Sequence, residues 1–197
     1  MPMLVNDNRK SYPDVYKLKA GAAEIVTMPA LQFISQEMYG KLGVSGRPEE
    51  GEWIVWKIVN QLKRLTKNIH QYKFKLMPHE IVWHRQHDDE HWSYSIMMQV
   101  PDLITFELYE QARASVCARY KEQEVPETRF VGMEQGLCAQ KLHVGPYRET
   151  WRTLREIEAH VEERGYRITG DRREVYLNQP GCNPTEKWQT IVRVPIG

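Results

Sequence analysis

Residues 79–83, His-Glu-Ile-Val-Trp, and residues 173–177, Arg-Glu-Val-Tyr-Leu, decide the fold. In each, a Glu is followed by a β-branched residue and then by an aromatic ring within two positions. Each reads as a strand between a helix and a second strand. Before the first, Val55, Ile58 or Val59, Leu62 and Leu65 recur at helical spacing, predicting a helix over 53–65. An extended segment over 74–85, a polar turn at 87–90 and a returning strand over 92–100 follow. On that strand a period of two puts Trp92, Tyr94, Ile96, Met98 and Val100 on one face. Before the second, Trp151, Leu154, Ile157 and Val161 predict a helix over 149–164, stopped by Gly165. Strands over 173–177 and 188–194 follow, separated by a Pro/Gly loop. β-Rich leaders precede both helices, over 24–35 (broken at Pro29) and 130–143 (broken at Gly136).

Landmarks Trp53, Glu80, Trp92 and Pro101 thus align with Trp151, Glu174, Trp188 and Pro195. The fold expected is α+β: two βαββ units of antiparallel sheet, paired across a pseudo-twofold, with a central ligand cleft. One domain spans 1–197, with halves at 24–101 and 129–197 and a connecting helix over 104–121. Trp53 and Trp151 are expected to be equivalent core residues, each packing a helix on its own sheet.

The 197 residues are 41% hydrophobic and 27% charged, ordinary for a globular chain and unlike a disordered or collagen-like one. Lys and Arg number 27 against 26 Asp and Glu, so a generic phosphate-binding surface has no support and only a local patch stays open. There is no apolar run of membrane-spanning length and no secretory signal over the first residues. Three widely spaced cysteines, Cys117, Cys138 and Cys182, fit reduced thiols. A soluble, cytoplasmic protein is expected, with no membrane or direct nucleic-acid partner.

Six Trp and ten Tyr against four Phe favour rings with a polar handle, which fill cores and also line pockets for flat or cationic ligands. By alternation Glu174 and Tyr176 share one strand face and Val175 and Leu177 the other. If the helices cover the Val175 face, Glu174 and Tyr176 point into the cleft, with Glu80 and Trp83 as first-half counterparts. Two carboxylates among aromatic rings suit an apolar ligand with a positive or polarisable centre; a solvated strand face, or carboxylates paired with Arg, would carry the same residues. In 143–147, His-Val-Gly-Pro-Tyr, a tight turn presents Tyr147 at a helix N-terminus, either to orient a ligand or simply to pack on the helix. The cluster His84, His87, Asp88, Asp89, Glu90 and His91 has metal-ligand residue types, but adjacent turn residues diverge, and it reads as a solvated turn. Nucleotide-binding, zincin and nucleophile-elbow motifs are absent.

The stretch LCAQKLHVGPYRETW, a helix ending in RGY, REVYLNQP and the terminal WQTIVRVPI resemble the C-terminal half of GyrI-like small-molecule-binding domains. FKLMPHEIVWH resembles the PxEGLWW segment of the stand-alone subgroup. The resemblance implies a duplicated SHS2-type fold and a central pocket in which Glu174 meets lipophilic, often cationic or electrophilic compounds. It implies a part in xenobiotic resistance, with no cofactor. Some stand-alone relatives look like hydrolases that open cyclopropanoid DNA-alkylating natural products, which would make Glu174 and Tyr147 catalytic and Glu80, Trp83, Tyr176 and Glu174 itself ligand-binding. Other relatives imply a non-catalytic drug-sequestering protein or a gyrase-inhibitor-like module. Two departures, Ile81 for a Gly and His84 for a Trp, would narrow one pocket wall and make it more polar.

Overall fold

A computed structural model describes residues 4–43, 45–47, 53–120, 124–178 and 182–197. Its strands are β1 (Leu4–Asn6), β2 (Glu24–Met28), β3 (Leu31–Lys41), β4 (Tyr72–Phe74), β5 (His79–Gln86), β6 (His91–Val100), β7 (Arg129–Met133), β8 (Gly136–Val144), β9 (Arg172–Tyr176) and β10 (Gln189–Pro195). Its helices are α1 (Asn8–Ser11), α2 (Pro13–Tyr16), α3 (Trp53–His70), α4 (Phe106–Cys117) and α5 (Thr150–Glu163). β1 and β4 form a small parallel pair, and the other eight strands form one antiparallel sheet in the order β2-β8-β10-β9-β5-β6-β3-β7.

That order is a palindrome of the two units. β3-α3-β5-β6 and β8-α5-β9-β10 meet along the β5–β9 seam, so a single curled sheet runs through both units. The outer strands are exchanged: β2 precedes β3 but pairs with β8, while β7 precedes β8 but pairs with β3.

At the seam, His79 faces Tyr176, Glu80 faces Val175, Ile81 faces Glu174 and Trp83 faces Arg172. The pairing is centred on Ile81 and Glu174, which makes Ile81 the counterpart of Glu174, Trp83 that of Tyr176, and Glu80 that of Arg173. The alignment of HEIVW on REVYL is therefore one residue out of register. A one-residue slip moves every side chain to the opposite face. Glu80 and Glu174 consequently lie on opposite faces of the sheet, not in one cleft.

Helix α3 forms because Ile54, Val55, Ile58, Val59 and Leu62 make one apolar stripe, and all five are buried. Burial of each contributes about 1.5–3 kcal/mol. The helix runs past Leu65, where the sequence pattern ends it, to His70 and is followed by Gln71, whose φ is 51°. Thr105 caps α4, accepting from the Leu108 amide at 3.3 Å. Helix α3 packs on β3 and β6, and α5 on β8 and β10, which leaves the middle strands β5 and β9 under the gap between them. The opposite face is covered by Val15 and Tyr16, which pack with Phe33, Val82, Met97, Val175 and Ile191.

The Trp pair does not behave as an equivalent core pair. Trp151 is 45% exposed, because the buried stripe of α5 is Thr150, Thr153, Ile157 and Val161. The side chain of Trp53 lies outside the described residues.

Candidate functional site

Strand β9 carries Glu174 and Tyr176 into the gap between α3 and α5. The long helices flank this face, and the Val175 face is the one closed by residues 15 and 16, the reverse of the arrangement expected. Glu174 is only 1% exposed. Its Oε2 accepts a 2.6 Å hydrogen bond from the Tyr176 hydroxyl. Its Oε1 accepts none, and Arg172 Nε stands 3.4 Å away. Burial, and then the charge of Glu174, push the Tyr176 phenol well above its ordinary pKa, so it stays protonated and donates.

A cavity of about 340 Å³ opens over this carboxylate, lined by Trp83, Trp92, Tyr147, Trp151, Arg148 and Arg172 among others. Such a volume falls within the range of small-molecule sites, about 300–1,000 Å³. Trp83 packs edge-on against Trp92 with ring centroids 5.5 Å apart, and its indole Nε1 is buried without a hydrogen-bond acceptor. A buried oxygen of Glu174 that is ion-paired to Arg172 but accepts no hydrogen bond, and a buried Trp83 donor without an acceptor, both line one cavity and are groups that a ligand can satisfy.

Tyr147 reaches the cavity from the turn at 143–147. Gly145 takes a φ of 135°, open to glycine and strained for other residues. His143 Nε2 lies 3.0 Å from the Pro146 carbonyl, which only accepts, so Nε2 carries the proton and Nδ1 accepts from Thr153 Oγ1 at 2.8 Å. His143 thus fastens the turn to α5. The Tyr147 ring stacks on Trp188 at 4.4 Å and meets Tyr176 edge-on at 4.9 Å. Its hydroxyl donates to the Asn178 carbonyl at 3.3 Å, and the phenol bound to the carboxylate is that of Tyr176.

The guanidinium carbon of Arg47 sits 4.5 Å from the centroid of the Tyr176 ring and 5.6 Å from that of Tyr147. A cation-π position beside Glu174 is thus taken by the protein's own side chain. Gly46, at φ 85°, seats this segment: a Cβ there would come within 2.7 Å of the Arg148 amide nitrogen. Arg172 beside Glu174, Arg148 on the cavity wall and Arg47 over the Tyr176 ring thus bring three arginines to one site.

Of the residues singled out in the sequence, Glu174, Trp83, Tyr147 and Tyr176 are gathered at this cavity, and Ile81 stands beside Glu174. Glu80 is not among them. It is fully buried on the other face, where its Oε2 pairs with Arg173 Nη1 at 3.0 Å and its Oε1 accepts from the Tyr16 hydroxyl at 3.3 Å. His84 also turns away: it sits at a bulge between Trp83 and Arg85 and binds Ser95 and Asp171 at 2.7 and 2.6 Å. In the 87–91 turn, Asp88 accepts from the Glu90 and His91 amides, which hold its pKa at about 2, while His87 bonds Ser93. Among the described residues, no cluster of three or more His, Cys, Asp or Glu side chains is placed to hold a metal, and no helix is long and apolar enough to cross a membrane.

Sequence reasoning missed Arg148, Arg172, Trp92 and Trp151 as cavity walls, and Arg47 over the Tyr176 ring. Arg172 was open to it, since alternation from Glu174 places it on the same face. The placement of Arg47 depends on a loop fold that no periodicity encodes.

A curled antiparallel sheet with a cavity of this kind, walled by rings and floored by a buried carboxylate, defines a small-molecule-binding domain. The chain belongs to the GyrI-like family: the profile of the GyrI-like small molecule binding domain matches residues 22–196. Among proteins of curated function, none matches significantly. Solved structures share the fold. An uncharacterized conserved protein from Listeria innocua is 24% identical with a TM-score of 0.85, covering 97% of this chain and 99% of its own. A hydrolase from Listeria innocua is 24% identical with a TM-score of 0.82, with the same coverage. The EcmrR C-terminal domain is 15% identical with a TM-score of 0.55, covering 89% of this chain and 96% of its own.

Proposed function

We propose that the protein is a detoxifying hydrolase for lipophilic, electrophilic small molecules, with Glu174 as its reactive group and cyclopropanoid DNA-alkylating compounds as the substrate class. The observation that carries this reading is Glu174 Oε1, buried at the cavity floor with no hydrogen bond, while Oε2 is held by Tyr176. A carboxylate so oriented keeps one oxygen ready to act on a bound water. Oε1 takes a proton from the water as the water oxygen bonds to the strained ring carbon. The ring C–C bond breaks, its electron pair passes into the conjugated acceptor, and the acceptor gains a proton as Glu174 releases its own to it or to solvent. Negative charge develops on the acceptor, and Arg172 and Arg148 on the cavity wall oppose it.

The arginines also bear on ligand charge. With Arg47 over the Tyr176 ring, the cavity suits neutral electrophiles better than lipophilic cations. Tyr147 serves as a wall that orients the ligand, and Trp83 as its stacking partner. The Listeria innocua neighbour described as a hydrolase shares the fold, and the assignment here rests on Glu174. Mass spectrometry of a cyclopropanoid alkylator incubated with the protein tests the reading. A released compound heavier by one water supports hydrolysis, whereas unchanged compound retained by the protein supports sequestration instead.

A further inference from the structure

The chain carries a net charge of +1, yet its charges are unevenly placed. From Trp53 to His79 there are six Lys or Arg residues and no Asp or Glu. This stretch holds α3 and β4, and β4 pairs with β1 so that Val5 faces Lys73. Between α3 and this strand pair lies a second cavity, of about 460 Å³, far from Glu174 in its lining: Val5, Lys63, Arg64, Lys67, Lys73, Phe74 and Lys75. Its floor is apolar and its rim cationic. Val5 is left 62% exposed there.

Several surface cations elsewhere are matched to carboxylates, as in Lys41–Glu90, Arg129–Glu37, Lys141–Glu156 and Arg113–Glu110. At the groove only Lys75 is matched, to Asp7 at 2.9 Å. Lys63, Arg64, Lys67 and Lys73 have no carboxylate partner among the described residues. Lys63 and Lys67 are one helical turn apart, where like charges repel. The negative C-terminal end of α3 accounts for Lys67 near the last turn. It does not account for Lys63 and Arg64 farther up the helix, nor for Lys73 on the strand. An anion seated in the groove would relieve all four.

We propose that this groove is a second ligand site, for an amphiphilic organic anion with an apolar body and one carboxylate or sulfonate head. The apolar body lies on Val5 and Phe74, and the head is held by Lys63, Lys67 and Lys73. This site is independent of the Glu174 cavity and of the hydrolase reading.

The test is fluorescence titration with anilinonaphthalene sulfonate, with uncharged N-phenylnaphthylamine as control. One saturable site is expected for the sulfonate, weakened by added salt. Lys63→Glu with Lys67→Glu should weaken it about tenfold or more, since charge-assisted bonds are lost. The double Lys→Arg variant should retain it, and Glu174→Gln should leave it unchanged. Lys73→Glu, on the other wall of the groove, provides a second disruption if the helix variant folds poorly. Unchanged sulfonate affinity in the folded Lys→Glu variants, or loss of binding in Glu174→Gln, overturns the proposal. So does binding to anionic phospholipid vesicles through these lysines without a dye site, which would make the groove a membrane-facing surface.

Discussion

Tyr176 donates its hydroxyl proton to Glu174 Oε2 over 2.6 Å, from two residues farther along the same strand. Both side chains project from one face of β9, and the bond fixes which carboxylate oxygen stays available. Tyr147 is the residue that motif resemblance favours, but its hydroxyl is committed to the Asn178 carbonyl. Tyr176→Phe should therefore lower turnover of a cyclopropanoid substrate more than Tyr147→Phe does. A steady-state comparison of the two variants checks this, and a larger loss in Tyr147→Phe would return the proton-handling role to Tyr147.

The same burial predicts an alkaline limit to stability. Desolvation, then the Glu174 charge, raise the Tyr176 phenol; desolvation, then Glu80, raise that of Tyr16. Above about pH 10, the ordinary phenol value, the unfolded chain releases protons that the native protein keeps. Stability is thus complete below that pH and falls as pH rises toward the raised native values. Denaturant midpoints measured from neutral to alkaline pH should be flat and then decline, with two phenols ionising only on unfolding. Ionisation of all tyrosines near the ordinary value in the folded protein would contradict the placement of Tyr16 and Tyr176.

Glu80 and Arg173 make a buried ion pair across the seam, on the face away from the cavity. Replacing Glu80 with Gln leaves the Arg173 charge buried without its partner, and loss of one partner of a buried pair costs about 3–5 kcal/mol. Urea unfolding should show that loss, while the variant's affinity for a ligand of the Glu174 cavity stays near the parent's. Lost affinity in a still-folded variant would bring Glu80 back into the site.

Trp151 and Trp83 should separate by role. Trp151 lies half exposed, with the Arg152 and Arg155 guanidinium carbons 5.4 and 5.1 Å from its ring, so Trp151→Ala should cost about 1 kcal/mol or less, far below the 3–5 kcal/mol of a core aromatic. Trp83→Leu should remove most of the fluorescence quench that a bound aromatic ligand produces. A quench as strong as the parent's would take Trp83 out of the binding wall.

Periodicity and repetition carried most of the fold: the order of elements, both long helices and the strand bearing Glu174 were legible because each has a period of its own. The register between the halves was not. HEIVW and REVYL each contain a Glu, and matching those letters conceals that the seam matches Ile81 to Glu174; only the hydrogen-bond ladder distinguishes the two alignments. Nor was the role of residues 4–16 legible, since four-residue helices have no periodicity, although Tyr16 closes the face that holds Glu80. At the site, Glu174, Tyr176 and Trp83 could be read from alternation, whereas Arg47 arrives through a loop.

The most direct test of the account is the turnover of a cyclopropanoid alkylator by Glu174→Gln, followed as the mass gain of one water against the parent protein. Gln keeps the shape and the contact with Tyr176 but accepts no proton. The account predicts a loss of about 10²–10⁴-fold, with affinity for neutral ligands nearly unchanged. Full turnover in Glu174→Gln would contradict it.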